Sequence, residues 1–228
     1  MLINVSFDPS VTGVNGAPDG FVAAVNYVAK LYGDIFTNNV TINIAVGFGE
    51  VRNASFAGAG ASWLPAIDQT ATLSFDLLKS ALKAHDVPDA WLPAEDPTGG
   101  QQNFQIPMAQ ARALGLTSYM PTVGVDGYVG FSNTPQLFDY GLSGSTTAGA
   151  YDFVGVVEHE FSEVMGRSYF GPSALNSALN MYRYTSPGVL ALGSTSSTIT
   201  PYFSTDGGAT RLQYFNNPNQ TGGGDYAD

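Results

Sequence analysis

Asp152-Phe153-Val154-Gly155-Val156-Val157-Glu158-His159-Glu160-Phe161-Ser162-Glu163-Val164-Met165-Gly166-Arg167 is the stretch on which the reading of this chain turns. At 100° per residue, Phe153, Val157, Phe161, Val164 and Met165 fall on one broad stripe, the mark of an amphipathic helix laid on a core. Asp152, His159, Glu163 and Gly166 lie beside the stripe. His159 and Glu163 are four residues apart, hence one turn apart on one face, so an imidazole and a carboxylate can reach a single ion. Glu160 is rotated toward the apolar side, where partial desolvation is expected to make its carboxylate more basic and suit it to general-base work.

The spacing is that of the His-Glu-x-x-His zinc helix with Glu163 in place of the second His. A carboxylate is an acceptable zinc ligand, but its charge lowers the Lewis acidity of the ion, so slow turnover or a harder ion than zinc is the expected consequence. An isolated match of this kind is more often a solvated helix face carrying an i,i+4 hydrogen bond. Here the helix is amphipathic, one of only two histidines in the chain falls inside the motif, and Gly166-Arg167 follows where many zincins turn sharply.

Working outward, residues 3–7 read as a strand and residues 20–36 as a helix opening after Pro18-Asp19-Gly20. Residues 40–46 alternate and are β-branched, which gives a strand with one buried face. A helix over residues 70–84 ends at His85-Asp86-Val87-Pro88. A Pro/Gly-rich loop over 93–102 leads to a short helix over 107–114, then to strand pieces over 119–131, then to a Gly/Ser/Thr loop over 141–149. Turns and short strands follow the 152–165 helix to the C-terminus, with breaks at Ser186-Pro187-Gly188 and Asp206-Gly207-Gly208. The expected architecture is a single α+β domain over 1–228, a mixed twisted sheet packed on long helices. Its sheet and helix part covers about 1–166, and an irregular C-terminal part covers 167–228.

Composition narrows the partners. The chain has 228 residues, 44% hydrophobic and 12% aromatic, enough to bury a sizeable core. Eight Lys and Arg against nineteen Asp and Glu leave a net charge of −11, which opposes binding to nucleic acid or anionic membranes. Protein or peptide partners are favoured, and a monomer is expected. With no Cys there is no disulfide, thiolate site or cysteine nucleophile, so a metal must take His, carboxylate, phenolate or carbonyl ligands. No run approaches the apolar length of a membrane span. Met1-Leu2-Ile3-Asn4 lacks the features of a signal peptide, so a secreted chain is expected to have shed one.

Residues 157–167 resemble the active-site helix of a family of secreted bacterial metalloproteases, many with a C-terminal PEP-type sorting tail, whose signature reads H-E-[IF]-S-E-V-M-G-R. The similarity extends to the N-terminal strand-helix-strand run, to residues 181–188 and 202–208, and to Gly224-Asp225-Tyr226-Ala227-Asp228. The resemblance implies a zincin-like fold, a secreted or cell-surface location and zinc-dependent endopeptidase activity through an activated water. It implies His159 and Glu163 as metal ligands and Glu160 as general base. Against the metzincin pattern H-E-x-x-H-x-x-G-x-x-H, Gly166 matches, Glu163 stands for the second His and Tyr169 stands where the third would be.

The third ligand stays open. Tyr169 is favoured by spacing, with Asp206, Asp225 and Asp228 available if the C-terminal segment folds back. Met181 reads equally well as a Met-turn beneath the metal and as core packing. Arg167 is read first as a helix cap or salt-bridge partner, with clamping of Glu163 or binding of a substrate carboxylate as its functional roles. Asp152 reads as the helix N-cap and His85 as a surface residue at a helix end. By analogy with zincins that bind peptides by β-augmentation, the strand over 40–46 is the expected substrate edge. The Asp206-Gly207-Gly208 and Gly223-Gly224-Asp225 turns read first as plain turns and second as calcium loops. Two functions compete: a non-catalytic surface- or matrix-binding protein on a zincin scaffold with a weakened or structural metal site, and a calcium-dependent adhesin domain built on the Gly/Asp turns.

Overall fold

A computed structural model describes residues 1–63, 70–101, 103–120, 124–134, 136–167, 175–192 and 200–217. The chain is mixed α+β and divides into two compact units. The first takes residues 1–69, 107–113 and 121–165, and the second takes 70–106, 114–120 and 166–228.

The elements of the first unit are β1 (Leu2–Phe7), α1 (Phe21–Ile35), β2 (Thr41–Phe48), β3 (Gly60–Trp63), α2 (Met108–Ala113), β4 (Gly127–Phe131) and α3 (Phe153–Val164). Its main sheet has the order β1-β2-β4-β3. The first three strands are parallel, and β3 runs antiparallel along β4, with Gly60 opposite Phe131 and Ser62 opposite Val129. Ile42, Ile44 and Val46 of β2 are buried as the alternation predicts, but Ala45 and Gly47 on the other face are buried too, so the expected single buried face does not hold along the whole strand. Pairing with both β1 and β4, however, puts β2 inside the sheet. Both of its hydrogen-bonding edges are taken, so the strand over 40–46 is not the substrate edge. Among the described residues, the edge beside the motif helix is β3.

Phe153, the first residue of α3, holds the helix on the sheet. Its ring lies 4.8 Å from Phe21, 4.9 Å from Phe131, 5.1 Å from Phe138 and 4.7 Å from Tyr140, between centroids. Such pairs add about 0.5–1.5 kcal/mol each beyond area burial. Val157, Phe161 and Val164 continue the buried stripe read from the sequence, and Met165 packs against the same core. Asp152 caps the helix as expected, its carboxylate accepting from the Val154 amide at 3.1 Å. Gly166, at φ 118°, ends it, a conformation that disfavours any residue with a Cβ.

A buried ion pair joins α2 to the start of β4. Asp126, 0% exposed, accepts from Arg112 Nε of α2 at 2.6 Å and from the Asn43 amide of β2 at 2.8 Å. Asp126→Ala would leave both donors without their acceptor. Removing one partner of a buried pair costs about 3–5 kcal/mol, and the 28% exposure of Arg112 puts the expected loss nearer 2–3 kcal/mol. Urea unfolding of the variant against the parent chain measures it, and a loss within experimental error would show that Arg112 is solvated without help.

The second unit carries a sheet ordered Leu175–Asn176, Asn103–Pro107, Thr70–Leu73 and a four-stranded antiparallel sheet from Arg183–Ser186, Val189–Leu190, Tyr202–Phe203 and Gln213–Tyr214. The segment over 70–84, expected as one helix, is a strand and then a helix, Phe75–Ala84. Ser74 divides them, its hydroxyl accepting from the Leu77 amide at 3.3 Å as an N-cap. The strand Asn103–Pro107 has no counterpart in the sequence reading, whose 93–102 loop ran directly into a helix. His85 sits exposed at the helix end, as expected. No helix among the described residues is long and apolar enough to cross a membrane.

Candidate metal centre

The candidate site is built on the exposed flank of α3 and the edge strand β3, both within the first unit. His159 Nε2 and Glu163 Oε1 are 3.4 Å apart, with side chains 35% and 13% exposed. That separation exceeds the 2.7–3.2 Å range of an ordinary N–H···O hydrogen bond. It equals the spacing of two donors on one tetrahedral zinc ion, since ligand bonds of about 2.0–2.1 Å at the tetrahedral angle hold two donors about 3.3–3.4 Å apart. One imidazole and one carboxylate at this separation fit zinc in chemistry and in bite.

Glu163 is held from the sheet side. Its second oxygen, Oε2, accepts a hydrogen bond from Ser62 Oγ of β3, 101 residues away in sequence. Ser162 Oγ donates back to the His159 carbonyl at 2.6 Å, and Tyr32 of α1 donates its hydroxyl to the Glu158 carbonyl at 2.8 Å, tying this turn of α3 to its neighbour.

Glu160 is 5% exposed, the most enclosed acidic group of the motif, as its rotation toward the apolar stripe predicted. Its side chain lies directly against β3. A Cβ added at Gly60 would come within 2.6 Å of Glu160 Oε1 and 2.8 Å of Val156 Cγ1, so the absence of a side chain at residue 60 is what admits the carboxylate. Glycine is required here for close approach rather than for its dihedral freedom. His159, Glu160 and Glu163 therefore share one helix, with two sites of contact to one strand.

The other sequence-derived candidates belong to the second unit or lie outside the described residues. Arg167 is half-buried just past Gly166 and belongs to the second unit. Met181 is fully buried in the short helix Ala178–Tyr182 of that unit. Asp206 anchors a turn. Its carboxylate accepts from the Ser204 hydroxyl at 2.7 Å and the Thr210 amide at 2.8 Å, and hydrogen bonds, from the Thr210 side chain above all, hold its pKa down at about 2. Tyr169, Asp225 and Asp228 lie outside the described residues, as does the Gly223-Gly224-Asp225 turn. A catalytic zinc takes three protein ligands, and among the described residues no cluster of three or more His, Asp or Glu side chains forms.

Sequence reading missed β3 altogether, and with it Ser62 and Gly60. The sole local signal was Gly60 itself, since a glycine within a strand marks a bulge or a close approach. No family model matches the chain, and no curated protein or solved structure matches it.

Proposed function

We propose that this chain is a zincin-like, zinc-dependent endopeptidase of secreted or cell-surface type, with His159 and Glu163 as metal ligands and Glu160 as general base. The observation that carries the reading is the 3.4 Å bite between His159 Nε2 and Glu163 Oε1, with buried Glu160 between them in sequence. The antiparallel edge strand beside the motif helix supports the zincin part of it.

A zinc ion bound there supplies Lewis acidity toward a scissile carbonyl and toward water. The chain's own residues do the rest. β3 ends its sheet and offers an extended peptide a strand to pair with, so main-chain hydrogen bonds align the substrate alongside α3. Glu160 takes a proton from the attacking water and returns it to the leaving amine. Enclosure by β3 and the apolar stripe restricts the carboxylate's orientations, which reduces the entropy lost on reaching the transition state.

Elemental analysis paired with peptide hydrolysis, with and without chelator, tests the proposal. Stoichiometric zinc is expected, with hydrolysis lost on chelation and restored by zinc. Hydrolysis indifferent to chelation would overturn the metal mechanism. Zinc retained without hydrolysis of any peptide in a broad library would favour the non-catalytic binding protein, and calcium-dependent stability without hydrolysis would favour the calcium reading.

A further inference from the structure

Two residues of β3 meet two residues of α3 in register. Gly60 and Ser62 are two apart on a strand and share a face. Glu160 and Glu163 are three apart on a helix and share a flank. Gly60 leaves room for Glu160, and Ser62 donates to Glu163 Oε2. The strand thus grips both functional carboxylates by different means, one by space and one by a hydrogen bond.

We propose that Ser62 is a positioning residue that makes Glu163 a metal ligand and ties the order of the edge strand to metal binding. This rests on the zinc reading of His159 and Glu163. A carboxylate on a terminal sp³–sp² bond turns over a broad torsional range. By engaging Oε2, the Ser62 hydroxyl fixes the carboxylate plane and commits Oε1 to the side facing His159 Nε2. Metal ligands are commonly oriented by such outer partners, and losing one costs about 10–100-fold in affinity. Because Ser62 belongs to the strand that receives the peptide, whatever orders β3 favours the ligand geometry. By linkage, the bound ion in turn orders β3.

Ser62→Thr and Ser62→Val test this as a pair, since the two side chains have the same shape and differ in the hydroxyl. Both are β-branched and suited to a strand. Zinc affinity is read by chelator competition, ligand geometry by the visible spectrum of the cobalt-substituted protein, and strand order by hydrogen exchange of the β3 amides with and without zinc. The Thr variant is expected to keep parental affinity, spectrum and zinc-dependent protection. The Val variant is expected to bind zinc about 10–100-fold more weakly, with an altered cobalt spectrum and reduced protection of β3. Should the added methyl unfold both, Ser62→Ala against the parent chain makes the same comparison. Parental binding and spectrum in a folded variant without the hydroxyl would overturn the role of Ser62 and leave the zinc reading standing. Absence of zinc binding in the parent chain would remove both.

Discussion

Exchange of Glu160 for Gln is expected to lower kcat for peptide hydrolysis by about 10²–10⁴-fold, the usual contribution of a positioned acid–base group. That corresponds to about 2.7–5.5 kcal/mol of transition-state stabilisation. The amide has the shape of the carboxylate, so the close packing against Gly60 persists and no cavity opens around a side chain only 5% exposed. What disappears is the ability to accept a full proton from water. Because that interaction is made in the transition state and not in the ground state, kcat and kcat/KM should fall together while KM holds. Zinc content should also hold, since the residue is not one of the assigned ligands. Steady-state kinetics on one peptide, with metal analysis of the same preparation, separates the roles. Loss of zinc would make Glu160 a ligand, and unchanged kcat would place the base elsewhere.

What could be read from the sequence was what a single helix or strand decides by itself. The α3 helix shows its period, its Asp152 cap and its Gly166 stop within 15 residues, and four of its five stripe positions emerged buried, Met165 being partly so. Glu160 emerged buried too, its rotation toward the stripe set by helical geometry, although the room for its carboxylate comes from Gly60 of β3. The alternation of β2 picked out Ile42, Ile44 and Val46 but neither the burial of Ala45 on the other face nor the neighbours that flank the strand, since strand order is fixed by pairing across distant sequence. Hence an edge was expected of a strand that lies inside the sheet. β3 was invisible for the same reason. Gly60-Ala61-Ser62 has no β-branched residue, and it becomes a strand because β4 presents an edge to it. The Ser62–Glu163 bond, spanning 101 residues, has no local trace at all. The 70–84 segment shows a smaller failure of the same kind, with helical spacing and strand alternation overlapping until Ser74 decides between them by capping.

The proposed ligand pair, His159 and Glu163, carries the second large effect. His159→Ala is expected to abolish stoichiometric zinc, because it removes the one imidazole of the motif and leaves oxygen donors, which suit magnesium or calcium better than zinc. The fold should survive, since His159 is 35% exposed on the flank of α3 and takes no part in the buried stripe. Glu163→Ala should weaken zinc by at least the roughly 10–100-fold that even the loss of an outer partner costs. Glu163→His distinguishes a ligand from a bystander. It restores two imidazoles at i,i+4 spacing without changing the helix, and the Ser62 hydroxyl, both donor and acceptor, can serve a ring nitrogen as it serves the carboxylate. Zinc should therefore be retained in the His variant and lost in the Ala variant. With a neutral ligand in place of an anionic one, the ion is also the stronger Lewis acid. The acidic limb of the pH–rate profile should then move to lower pH wherever Glu160 is not the group titrating there. Chelator competition across the three variants, with circular dichroism to establish folding, gives the ordering. Stoichiometric zinc in a folded His159→Ala protein would move the centre away from α3. Affinity indifferent to Ala, His or Glu at residue 163 would reduce the 3.4 Å approach of these two side chains to an exposed i,i+4 contact.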